Sequence, residues 1–181
     1  MIRILITLPN TFGREVAILE SYAEKFQKIH LRKEDWTEEQ TIRFLDTLSH
    51  KLIRRIVLCD HYHLALDYNV GGIHMKESKR TMNIGASGKG TVSTSFHDLH
   101  TLKKEAPAFD YALFGPVYPS FSKSGYVPAY TKDDFRKALS QTKARVVGIG
   151  GITDNKTGEL QSLGFSGLAF YTSFWKDHVK A

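Results

Sequence analysis

The residues able to do chemistry fall in a few short runs. In Val146–Thr153, VVGIGGIT, a β-branched run meets two adjacent glycines and then a helix start. Glycines let backbone N–H groups approach an anion, and a helix N-terminus adds favourable partial charge. Gly150 and Gly151 are therefore candidate phosphate ligands, and Thr172 and Ser173 join them because Tyr171-Thr172-Ser173 again runs from a strand into a helix. A second run, FGPVYPSFSKSG over Phe114–Gly125, carries Ser120, Ser122 and Lys123 in a polar loop. Hydroxyls donate and lysine supplies a point charge, which suits a phosphate or diphosphate. Asp60 is either a magnesium ligand beside a phosphate or a helix N-cap. His97, with an ordinary pKa of ~6.5, suits proton shuttling at neutral pH; its alternative is a cap or a surface side chain. Cys59 reads as a buried strand residue. His61 and His63, two positions apart, do not share a helix face and read as surface.

These runs sit in an alternating chain. Strands are expected at Arg3–Leu8, Lys28–Arg32, Arg54–Cys59, Gly71–Met75, Thr91–Ser95, Asp110–Phe114, Ala144–Ile149 and Gly167–Tyr171. Helical spacing of apolar residues marks Arg14–Phe26, and Ile42, Leu45, Leu48 and Leu52 after a Thr37/Gln40 capping box. Shorter helices are expected at Tyr62–Tyr68, Asp98–Glu105, after Thr131, at Asp154–Leu163 and at the end of the chain. Residues 76–90 fit neither pattern. Eight strands alternating with helices predict a compact (β/α)8 barrel as a single domain over 1–181. The rival, a doubly wound open sheet, needs a G-x-G-x-x-G turn after the first strand, which is absent. In a barrel the chemistry lies at the C-terminal strand ends, where the candidates above fall in series, and the loops after strands 7 and 8 hold phosphate.

Composition narrows the class. The 181 residues carry 25 basic and 19 acidic side chains, a net charge of +6, and are 41% hydrophobic, which excludes a disordered chain. One cysteine excludes a disulfide framework and a cysteine-based zinc site. Apolar runs are too short to span a bilayer, and the opening MIRILITLPN is too short and polar for a signal peptide, so the expected compartment is the cytoplasm, with no membrane partner. The basic residues are scattered, with a short cluster at Lys51–Arg55, so a small phosphorylated ligand is favoured over nucleic acid.

The runs KIHLRKED, RIVLCDHYHLALDYNVGGIHM, FDYALFGPVYPSFSKSG, ARVVGIGGIT and GFSGLAFYTSFW, in that order along the chain, resemble the thiamine phosphate synthase/TenI thiazole tautomerase superfamily. The resemblance implies a barrel acting in thiamine biosynthesis on a phosphorylated thiazole. Its synthase branch is a transferase that joins a hydroxymethylpyrimidine diphosphate to a thiazole phosphate with Mg²⁺ and releases pyrophosphate. Its tautomerase branch is an isomerase that aromatises the thiazole phosphate with a histidine after strand 5 and no cofactor. Set against the family's Q-x-R-x-K, the chain keeps Arg32 but has His30 and Glu34. Of the N-D-R after strand 3 it keeps Asp60 alone, and the second magnesium carboxylate falls on Lys79, with Glu77 nearby. The T-x-T-K loop becomes Ser120-Phe121-Ser122-Lys123; the S-x-H pattern is kept at Ser95-Phe96-His97.

The expected function is therefore a tautomerase with His97 as acid/base, the phosphate on Gly150, Gly151, Thr172 and Ser173, and Arg32, Ser95, Ser120, Ser122 and Lys123 contacting substrate. A lysine where the family has a metal carboxylate disfavours Mg²⁺. The alternative is a divergent Mg²⁺-dependent synthase using Asp60 and Glu77; further alternatives are a non-catalytic phosphate-ligand sensor and a nucleic-acid binder. Short helices around a small barrel leave apolar faces that a homodimer could cover.

Overall fold

The computed structural model describes residues 1–80, 90–119 and 128–179. Eight parallel strands close on themselves in chain order: β1 (Ile2–Ile6), β2 (Lys28–Leu31), β3 (Ile56–Leu58), β4 (Gly72–Met75), β5 (Thr91–Phe96), β6 (Tyr111–Phe114), β7 (Val146–Ile149) and β8 (Gly167–Phe170). The β1–β8 seam, with Leu5 level with Phe170, completes the ring. The expected (β/α)8 barrel is what forms. Outside it lie α1 (Glu15–Tyr22), α2 (Glu38–Asp46), α3 (His50–Ile53), α4 (Leu99–Glu105), α5 (Lys132–Ser140), α6 (Thr157–Ser162) and α7 (Thr172–Trp175). No helix among the described residues is long and apolar enough to cross a membrane.

Period-2 alternation explains why the strands stand where they do. Leu5, Ile29, Phe96, Phe114, Leu168 and Phe170 point outward into one large cluster with the helices. Ile4, Ile6, Tyr111, Leu113, Val147 and Ala169 point inward and form a second, smaller cluster. The outer face is apolar because the helices cover it, whereas the inner face shares its small apolar layer with buried polar side chains such as His30, His74 and Ser93.

Helix starts follow their caps. Thr37 with Gln40 and Thr131 with Asp134 form reciprocal capping boxes on α2 and α5. The first helical stretch is shorter than expected, α1 giving way to a 3-10 turn at Ala23–Lys25. The helix expected at Tyr62–Tyr68 is a single 3-10 turn, Tyr62–Ala65, entered by His61 at φ 48°. Trp175 Nε1 donates to Ile6 O at 2.7 Å, which ties α7 back onto the end of β1. That bond sets where Thr172 and Ser173 stand.

Candidate functional site at the C-terminal mouth of the barrel

The C-terminal end of β7 has the geometry of an anion cradle. Gly150 and Gly151 both take left-handed backbone, φ 93° and 62°. A Cβ on Gly151 would lie 2.5 Å from Pro119 O and 2.7 Å from Tyr118 Cβ. The chain after β6 runs directly over the glycines and holds their carbonyl side: Val117 N–H donates to Ile149 O at 2.9 Å and Tyr118 N–H to Gly150 O at 3.1 Å. Among the described residues no backbone or side-chain acceptor takes the N–H of Gly150 or Gly151. Next to it, α7 starts at Thr172 without a side-chain cap, so its first N–H groups are likewise unpaired within the helix.

Beyond it around the ring, β2 and β4 are followed by the cations Arg32 and Lys76, and β3 by the carboxylate of Asp60. Lys76, the residue after β4, places Nζ 2.7 Å from Asp60 Oδ2 after β3. Tyr62 Oη accepts the Lys76 N–H at 3.2 Å, and the Lys79 ammonium lies 5.4 Å from the Tyr62 ring centre. Asp60 is thus neither free nor a helix cap. Glu77 pairs with Arg80 at 3.3 Å, and Arg80 also donates to Glu105 at 3.1 Å and to Ser95 O at 2.6 Å. Arg32 after β2 pairs with Glu34 at 3.0 Å and stacks its guanidinium 5.1 Å from the Tyr171 ring centre. The Nε atoms of Arg32 and Arg80 are buried without a partner among the described residues.

A magnesium ion needs several oxygen ligands. Asp60 already carries an ammonium and Glu77 a guanidinium, and no group of three or more His, Cys, Asp or Glu among the described residues could hold a metal. Segments 81–89, 120–127 and 180–181 contain none of those residue types. The residues present do not fit the ion, so Asp60 is not placed as a metal ligand and the Asp60–Glu77 pair of the divergent-synthase reading is not assembled.

His97, one residue past β5, is exposed at the mouth, and its Nδ1 lies 2.6 Å from Gly115 O. A carbonyl only accepts, so Nδ1 carries a proton and donates to it, which leaves Nε2 as the ring nitrogen turned to the mouth. Ser95 is turned inward, its Oγ 2.9 Å from His74 Nε2. Ser120, Ser122 and Lys123 lie outside the described residues. Cys59 is buried and its thiol is pushed up to about 12 by burial, which keeps it inert as expected. His63 pairs with Glu38 on the surface and His61 meets Trp36 O.

The family model for thiamine monophosphate synthase matches residues 5–174. The chain belongs to that family. The thiamine-phosphate synthase of Lactococcus lactis subsp. lactis is 30% identical over 130 residues, 69% of this chain and 60% of that protein. The thiamine phosphate pyrophosphorylase from Bacteroides thetaiotaomicron superposes with a TM-score of 0.81 at 27% identity, covering 97% of this chain and 85% of that one. A tryptophan synthase alpha-subunit from Pyrococcus furiosus, at 15% identity and TM-score 0.65, shares the fold. The match spans about 60% of the length of the lactococcal relatives.

Within this family frame, the polar barrel interior was not legible as a unit. His30 Nε2 lies 2.6 Å from Tyr111 Oη, across the barrel from β2 to β6, and the His30 ring lies 4.7 Å from that of His74. Ser93 donates to Ile73 O at 3.2 Å, so His74 Nδ1, 2.9 Å from Ser93 Oγ, donates to it and Nε2 accepts from Ser95. Burial holds His74 down at about 4 and His30 well below the usual range, so both rings are neutral at pH 7. The other residue missed is Lys33, buried against Glu15 at 2.7 Å.

Proposed function

We propose that the chain is a transferase of the thiamine-phosphate synthase type, acting on a thiazole phosphate and a pyrimidine-methyl diphosphate. The observation that supports this is that two groups suited to anions, a glycine turn with a helix start and a cationic corner, stand at one mouth. The glycine turn after β7 and the start of α7 suit a phosphate. Lys76, after β4, lies on the far side of the ring and suits a diphosphate, while Arg32, after β2, reaches to Tyr171 at the start of α7 and stands between the two ends. The relatives' names support this reading better than the tautomerase expected from the sequence.

In this reaction the thiazole nitrogen gives its lone pair to the pyrimidine methylene carbon. The carbon–oxygen bond to the diphosphate breaks with its electron pair, and pyrophosphate leaves. The chain's part is to hold both phosphoryl groups so that nitrogen and carbon are aligned, and to stabilise the charge that collects on the departing diphosphate. Ser120, Ser122 and Lys123 belong to this proposal as further contacts to the diphosphate.

Calorimetry and pyrophosphate release test it. The wild-type protein is expected to bind thiazole phosphate and, with both substrates, to release pyrophosphate; no release would overturn the transferase. Gly151→Ala is expected to weaken thiazole phosphate by about tenfold or more, because a side chain at φ 62° is strained and meets backbone. Unchanged affinity would remove the phosphate from this turn.

His97 supports a second reading, the tautomerase, since its Nε2 is the ring nitrogen turned to the mouth. On that reading His97→Asn lowers the rate of thiazole aromatisation by about a hundredfold while thiazole phosphate affinity holds. An unchanged rate in a protein that aromatises the thiazole would exclude His97.

A further inference from the structure

We propose that Lys76 takes the place of a divalent cation, so that this chain binds the diphosphate group through a built-in ammonium on Asp60 and without magnesium. The inference rests on the transferase reading only for the identity of the anion. It stands on the charge and position of the groups at the ends of β3 and β4.

Lys76 continues the inward row of β4, since His74 faces the barrel interior and side chains alternate along a strand. Its ammonium has one described partner, Asp60, at 2.7 Å, and its side chain is 53% exposed. An ammonium has three donors, so two remain for an anion on the open side. The Tyr62 hydroxyl fixes the backbone of Lys76 at the same place, and Lys79 lies over the other part of that tyrosine. The backbone of Lys76 is thus held at the strand end, and its ammonium is directed by Asp60.

Charge balance agrees. A magnesium ion held by two carboxylates leaves a neutral corner. Here one carboxylate, Asp60, is neutralised by Lys76, and Lys79 adds a further positive charge. The corner thus attracts a diphosphate with no metal bound. A divalent ion would have to displace the Lys76 ammonium from Asp60 or sit beside it, and like charges a few ångströms apart repel strongly. Glu77 offers no second ligand, being engaged by Arg80.

The test is calorimetry of the intact chain with inorganic pyrophosphate, in EDTA and in magnesium, allowing for the magnesium–pyrophosphate complex in solution. Wild-type protein is expected to bind in EDTA with an affinity that magnesium does not improve. Lys76→Gln, a substitution at an exposed site, is expected to lose about tenfold in EDTA, and Lys76→Arg to keep most of the affinity. Manganese paramagnetic resonance gives an independent reading: the free-ion signal should persist when wild-type protein is added. No binding in EDTA, a tenfold gain from magnesium, an unchanged Lys76→Gln variant or stoichiometric loss of the manganese signal would each overturn the proposal. Pyrophosphate bound without metal, but with no turnover of the two organic substrates, would overturn the transferase and leave this site standing.

Discussion

Lys33→Met is expected to lower the unfolding free energy by about 3–5 kcal/mol, because it strands a carboxylate in the protein interior. Lys33 Nζ lies 2.7 Å from both Glu15 oxygens, and the two side chains are 2% and 1% exposed. The ammonium also reaches Asn10 O at 3.4 Å and lies 5.3 Å from the Trp36 ring centre. Without it, Glu15 keeps one side-chain donor, the Thr11 hydroxyl at 2.8 Å. Glu15→Gln should cost in the same direction, since it leaves the ammonium without its counter-charge. The double variant Glu15→Leu/Lys33→Met should recover most of the loss, because the cost lies in the uncompensated charge and not in the missing attraction. Urea unfolding at pH 7 measures all three. A single variant within about 1 kcal/mol of wild type would mean that water reaches this pair. The pair anchors α1 to the residue beside Arg32, so its integrity bears on the mouth as well as on the core.

The barrel was readable because its signals are local. Eight β-branched runs separated by helical spacing, two capping boxes and a glycine pair after the seventh run each depend on a few neighbouring residues. The family motifs added order and orientation. The glycine turn proposed to hold phosphate was readable for the same reason: Gly150 and Gly151 declare themselves by a backbone conformation that side chains disfavour. The corner proposed to hold diphosphate was not. Lys76 becomes meaningful only when β3 and β4 lie side by side and its ammonium meets Asp60. The family's carboxylate position falls on Lys79, which lies over Tyr62, while the ammonium that meets Asp60 belongs to Lys76, three positions earlier. One signal was present in the sequence: His74 and Lys76 share the inward row of one strand. The Lys33–Glu15 pair had no such signal, since 18 positions separate the partners and both residue types are ordinarily exposed. His30, a departure from the family glutamine, could be read only as a difference until Tyr111 and His74 were seen packed around it.

Those buried histidines make the fold sensitive to acid in a defined window. His74 is held down at about 4 by burial; His30 is held well below its ordinary value by burial first, then by the nearby His74 and Lys28. Below an unfolded pKa of about 6.5 the unfolded chain takes up protons that the folded chain refuses, so stability falls as pH falls through that value. His74 alone should remove about 3 kcal/mol by pH 4, and His30 adds loss in the same direction. Asp98 contributes in a lower window: its carboxyl is held at about 2 by bonds from Thr101 and Tyr130, so its share is lost only as pH falls from its ordinary range through that value. The separation lets the histidine effect be isolated between pH 6.5 and 4.5. Urea unfolding across that range should show a steep fall for wild type and a shallower one for His74→Gln, whose amide can bond Ser93 or Ser95 without titrating. Parallel slopes would mean that His74 is protonated in the folded barrel and that its bonds to Ser93 and Ser95 are arranged differently. Because Ser95 and Arg80 meet at the rim, loss of the neutral imidazole should loosen the cationic side of the mouth before the outer helices unfold.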